Sequence, residues 1–137
     1  MIIVDDHLAL LAITGRLPDL GHPGPIATTY GFHFRLARAV AESARSGSLS
    51  RRLENAPAAL RRVLRPPANR LVVLDPRSSL DAAVRVATEH SANLLLAELV
   101  GAALHHQAAL RVTAANAGRS WASVMDAHGV DFATVDL

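Results

Sequence analysis

The sequence predicts an α/β domain in which a central parallel sheet of about four strands is covered by helices on both faces, a three-layer α/β/α arrangement. Three observations predict it. Short apolar runs alternate with longer segments of helical periodicity, the pattern of parallel strands joined by crossover helices. The opening run, Met-Ile-Ile-Val-Asp, is continuously apolar up to its last residue rather than alternating, as in a strand buried on both faces. Half of the 137 residues are apolar, enough for one core, so residues 1–137 are read as a single domain.

The elements follow in order. Residues 1–5 form the first strand. A short helix follows, with Leu8, Leu11 and Ala12 on one face and a stop near Gly15. The segment from Arg16 to Pro25 is rich in Pro and Gly and is a loop. From about Thr29 to Ser46 the pattern is helical, with Phe34, Ala37, Ala41 and Ala44 able to share a face and Gly47 as a stop. Ser48 or Ser50 can cap the next segment, which carries Arg51-Arg52 and Arg61-Arg62. Pro57 divides that segment into two short helices, and Pro66-Pro67 ends it. Leu71 to Leu74 is a second strand. A helix from about Ser79 to Glu89 follows, Ser78 and Asp81 having capping-box spacing. Ser91 can cap an apolar helix from Ala92 to His106, Ala109 to Thr113 is a third strand, and Gly118 precedes a helix with Trp121, Val124 and Met125 that Gly129 closes. Asp131 to Val135 is the last strand.

Composition narrows the function classes. Cysteine is absent, which excludes thiolate catalysis, disulfides and Cys-ligated zinc and fits a cytoplasmic protein. The start carries Asp5 and Asp6 and no basic n-region, so it reads as a strand rather than a signal peptide. No apolar run reaches the ~20 residues a membrane span needs; Glu98 interrupts the longest, Leu94 to Leu104. All fourteen basic residues are Arg, nine of them between Arg35 and Arg70, where the only acids are Glu42 and Glu54. Such a patch can attract phosphate or an acidic partner, or simply solvate helix faces. No Gly-rich phosphate loop, nucleophile elbow or H-E-x-x-H helix is present.

Parallel sheets bind ligands beyond the carboxyl ends of their strands. This selects Asp5, Asp6, Asp75, Asn116 and the helix start at Asn93. In these places the sequence resembles the PIN domain family. MIIVDDHLALLAITG is similar to the family's opening strand and its first acid. IATTYGFHFRLARAV sits where the helix of the second acid belongs. The stretch from LVVLDPRSSL through NLLLAELVGAAL to LRVTAAN is similar to the closing half. The resemblance covers most of the chain. It implies a VapC-type toxin of a type II toxin–antitoxin system, a Mg²⁺-dependent endoribonuclease paired with a cognate antitoxin protein and forming a homodimer.

Carried over residue by residue, the resemblance places Asp5 at the first acid, with Asp6 beside it as a second metal ligand. The second-acid helix offers His33, Arg35 and Arg38 instead of a carboxylate, and Glu42 comes about a turn late. Asn93 stands at the third position and Asn116 at or beside the fourth. Mg²⁺ prefers several oxygen ligands, and two-metal nucleases use acids to hold the pair; here Asn would give neutral oxygens only. The candidate set is therefore Asp5, Asn93 and Asn116 for catalysis, Asp5 and Asp6 for metal, and Arg35, Arg38 and His33 for phosphate or RNA. Local roles compete: Asp5 and Asn93 as helix caps, Asn116 in a turn, Arg35 and Arg38 as solvated helix residues, and His105-His106 interacting with a helix C-terminus. Two other readings stand beside the toxin. One is a non-catalytic PIN-like module that binds a protein or RNA. The other is a phosphoryl-transfer receiver built on Asp5, Asp6 and Asp75, which the lack of any Lys disfavours.

Overall fold

A computed structural model describes residues 1–46 and 56–137. The elements are β1 (Ile2–Val4), α1 (Asp6–Thr14), β2 (Ile26–Thr28), α2 (Tyr30–Arg45), α3 (Ala56–Leu64), β3 (Val72–Val73), a 3₁₀ turn (Pro76–Ser79), α4 (Leu80–His90), α5 (Leu94–His106), β4 (Ala109–Thr113), α6 (Trp121–Ala127) and β5 (Phe132–Val135). The five strands form one parallel sheet in the order β3-β2-β1-β4-β5. The expectation of about four strands misses β2. That strand is three residues long and follows the Pro/Gly loop, too short for a pattern of its own.

Side-chain alternation in β1 divides the core in two. Ile2 and Val4 pack with Leu8, Ala12, Leu36 and Val63, under α1, α2 and α3. Ile3 packs on the other face with Val86, Leu99, Val100, Leu110, Trp121 and Met125, under α4, α5 and α6. The result is the three-layer α/β/α architecture. No helix among the described residues is long and apolar enough to cross a membrane.

Local chemistry moves several boundaries. Gly15 ends α1 at φ 72°, as expected. On α2 the buried residues are Phe32 and Leu36, with Val40 partly buried behind them. The expected Phe34-Ala37-Ala41-Ala44 face is not the buried one: Phe34 is 57% exposed. The larger side chains at i, i+4 and i+8 remove more apolar area from water than an alanine stripe does. The capping box at Ser78 and Asp81 does not form. Asp75 instead accepts from the Arg77 amide and caps the 3₁₀ turn, and Ser79 makes no side-chain cap bond. Ser91 does not cap α5, because at φ 51° it terminates α4; Asn93 caps α5 by accepting from the Leu96 amide at 3.0 Å. Gly47, Ser48, Ser50 and Arg51-Arg52 lie outside the described residues, as does any helix before Pro57, which itself stands as the second residue of α3, in the first turn where a missing N–H is tolerated.

Helices α4 and α5 meet at Gly101, where a Cβ would stand 2.6 Å from the Ala83 amide nitrogen and 2.8 Å from its Cα. Gly101→Ala gains ~1 kcal/mol of helix propensity, but the overpacking it forces costs ~1–3 kcal/mol, and the clash is with backbone that cannot rotate away. We expect a lower urea midpoint for Gly101→Ala; equal or greater stability would show that α4 and α5 separate at little cost.

Candidate functional site

The chain runs outward from β1 to β2 and β3, then crosses back to β4 on the other side of β1. The strand order therefore reverses between β1 and β4, and a crevice opens beyond their carboxyl ends. Asp5 and Asp6 stand there. Strand β1 ends at Val4, Asp5 is the extended N-cap of α1, and Asp6 is already helical. Consecutive strand residues diverge, but because the backbone turns into a helix here the two carboxylates converge. The Asn116 side-chain amide donates to both, 2.8 Å to Asp5 Oδ2 and 2.8 Å to Asp6 Oδ1.

Asp5 is completely buried. Its Oδ1 accepts from the Leu8 amide at 3.0 Å. Its Oδ2 accepts from the Thr113 amide and hydroxyl, both at 2.7 Å, besides Asn116. One side chain thus caps α1 and ties it to the end of β4. Asp6 is held from the opposite side by Arg35, which projects from α2. Arg35 Nε donates to Asp6 Oδ2 at 2.6 Å and Nη2 to Oδ1 at 2.7 Å, a two-pronged pairing that a guanidinium makes well. Nη2 also donates to Asn116 Oδ1 at 2.6 Å, and the guanidinium carbon lies 5.2 Å from the centroid of the Phe32 ring. His7 Nδ1 is 3.3 Å from the Thr113 hydroxyl. With Thr113, Ala114, Ala115 and Val135, His7 lines an open depression of about 350 Å³ beside the cluster.

Burial pushes the Asp6 carboxyl up, but the Arg35 hydrogen bonds and charge, helped by Asn116, hold it below the usual carboxylate value. Arg35 is correspondingly raised, first by its hydrogen bonds to Asp6. Asp5, Asp6 and His7 each bring a possible ligand atom, all within 4.8 Å of one another. The set does not fit a Mg²⁺ site as it stands. It has two carboxylates, every oxygen of which already accepts a protein hydrogen bond, and a fixed cation lies on Asp6. A second cation there meets repulsion from the guanidinium and only the remaining negative charge.

The other sequence candidates stand apart from this network. Asn93 caps α5. His33 Nε2 is 2.7 Å from the Val63 carbonyl oxygen, joining α2 to α3. Arg38 makes an exposed pair with Glu42, one helical turn on. Asp75, after edge strand β3, is bound by Arg77, whose hydrogen bonds hold its carboxyl down to about 2. That arrangement does not bring Asp75 into a receiver-like acid group with Asp5 and Asp6. Sequence reasoning missed Thr113, whose amide and hydroxyl clamp Asp5, because a Thr that closes an apolar strand reads as an ordinary β-branched strand residue. It also missed the role of Glu98, buried on α5, whose Oε2 accepts from the Gly31 amide in the first turn of α2 at 2.9 Å. The signal was present as the one acid in an apolar run.

No family model matches the chain, and no curated protein matches it. Among solved structures, the crystal structure of PAE2754 from Pyrobaculum aerophilum is similar to it, with a TM-score of 0.54 at 21% sequence identity over 98% of this chain and 89% of that one. At that identity the likeness bears on the fold alone, and it extends over nearly the whole chain.

The Arg35–Asp6 pair sets the pH response. A carboxyl depressed on folding contributes stability that is present above its unfolded value, ~3.9, and lost as pH falls through the folded value. In Arg35→Met burial acts with less opposition, so the Asp6 pKa should rise, and with a value above the unfolded one the sign reverses. Carboxyl chemical shifts followed by NMR through an acid titration check this, and an Asp6 titration unchanged in Arg35→Met would refute the coupling.

Proposed function

We propose that this chain is a PIN-like domain of the VapC toxin type, acting on RNA in the cytoplasm beside a cognate antitoxin, in which an internal arginine has taken the place of the catalytic metal. On this reading it binds RNA without cutting it, the non-catalytic form of the fold. The observation that carries it is Arg35, whose guanidinium lies on Asp6 and Asn116 where the resemblance calls for a cation among acids. The strand order and the crevice between β1 and β4 support the fold assignment.

RNA binding is supported by the surface of the α2–α3 pair. Arg61, Arg62 and Arg65 are exposed, and no carboxylate among the described residues pairs with them. Tyr30 and Phe34 are exposed on α2 and stack with each other at 6.4 Å. Cationic side chains for phosphates together with exposed aromatic faces for bases form the usual single-strand platform. Homodimer formation follows from the family reading.

The test combines binding with cleavage. Fluorescence anisotropy with a labelled single-stranded RNA should give an affinity that falls with salt, log K changing by ~0.7 per phosphate contact for each decade of salt. Replacing Arg61, Arg62 and Arg65 by Ala should weaken binding at least ~10-fold, because three phosphate contacts are removed. The same RNA should stay intact with Mg²⁺ or Mn²⁺ present. Metal-dependent cleavage that Asp5→Asn abolishes would overturn the non-catalytic reading and make the chain an endoribonuclease in which Mg²⁺ displaces Arg35.

A further inference from the structure

On the face of the sheet that carries α4, α5 and α6, three metal-binding side chains meet. Glu89 and His90 come from the last turn of α4, and His128 is the residue that ends α6. His90 Nε2 and His128 Nε2 are 2.9 Å apart. Glu89 Oε2 is 3.6 Å from His128 Nε2 and 4.0 Å from His90 Nε2. The two imidazoles are largely shielded, with side-chain exposures of 25% and 17%, while the carboxylate is half exposed at 49%.

We infer that these three residues form a binding site for a borderline first-row transition cation, for which Zn²⁺ is the natural probe. Two donors on a tetrahedral zinc at about 2.1 Å stand roughly 3.4 Å from each other, and the three observed separations lie on both sides of that spacing. Small side-chain rotations bring all three donors onto one ion. A single N–H···N hydrogen bond accounts for the 2.9 Å contact, and Glu89 then adds only a charge contact beyond hydrogen-bonding distance, at 3.6 and 4.0 Å from the two imidazoles. A shared cation uses all three atoms. Imidazole nitrogen favours zinc and its neighbours in the series, whereas Mg²⁺ and Ca²⁺ need oxygen ligands. The fold holds the donors in place: Gly129 turns the chain after His128 at φ 65°, and the Val130 amide bonds back to the Met125 carbonyl. His128 also lines an open depression of about 550 Å³ with Asp81, Arg85 and His105, through which an ion and a water ligand can reach the site. Two imidazoles and one carboxylate leave the fourth position to that water, and the ion ties the end of α4 to the end of α6.

The site is separate from Asp5 and Asp6, so its failure and the failure of the RNA reading are independent. Isothermal titration of the full chain with Zn²⁺ should show one strong site, with no comparable response to Mg²⁺. Affinity should fall more than ~10-fold in His90→Asn and in His128→Asn, and also in Glu89→Gln, whose exposed side chain makes misfolding no explanation. In the wild-type chain, the imidazole ¹⁵N resonances of His90 and His128 should move on Zn²⁺ addition while those of His7 and His33 do not. Absence of Zn²⁺ uptake, uptake unaffected by these substitutions, or ¹⁵N shifts at His7, His105 or His106 in place of His90 and His128 would overturn the inference.

Discussion

The carboxylate of Asp5 is the point on which the arrangement depends. It is fully buried and accepts four hydrogen bonds, from the Leu8 amide, the Thr113 amide and hydroxyl, and the Asn116 side chain. A buried carboxylate without partners is costly, and losing one partner leaves a penalty of ~1–3 kcal/mol or more because the charge cannot be rehydrated. The bonds join parts of the chain more than a hundred residues apart. They fix the start of α1 against the end of β4 and so hold open the crevice at the reversal of strand order. Asn116, Asp6 and Arg35 are built outward from that anchor.

The geometry also sorts the arginines. Fourteen are present, and by composition alone they are equivalent. Arg35 is committed to Asp6 and Asn116, Arg38 to Glu42, Arg77 to Asp75, and Arg111 to Asp131. Those on α3 and just beyond it have no carboxylate partner among the described residues, so they remain available to an anionic ligand. The Arg38–Glu42 pair is exposed on both sides, of the kind that contributes ~0.3–0.5 kcal/mol, whereas the Arg35 contact is two-pronged and shared by a third side chain.

Much of the architecture could be read along the chain because it rests on local patterns. The apolar run at Ile2–Val4, the glycine after α1 and the long apolar α5 each follow from burial or from a stereochemical stop that a few neighbouring residues supply. Strand β2 and the buried stripe of α2 were not legible. Three residues carry no period, and two candidate apolar stripes on one helix differ only in how much area their neighbours cover. Asp5, Asp6 and Asn116 could be chosen as site residues from their position after strands. Asn93 could be chosen on the same ground, yet its bond is to its own helix. Spacing along a chain does not distinguish a cap from a member of a distant cluster.

By itself, the sequence determined the α/β class, the succession of strands and helices, and the absence of thiol chemistry, since these depend on composition and on periods of two or 3.6 residues. Only the tertiary structure decided which of those residues meet. It put an arginine from α2 on a carboxylate from α1 and an amide from beyond β4, and it brought two histidines 38 positions apart to within 2.9 Å. Hydrogen bonds and ion pairs act over a few ångströms, and the strand order that creates such proximity arises from packing of the whole chain, which no local stretch of sequence encodes.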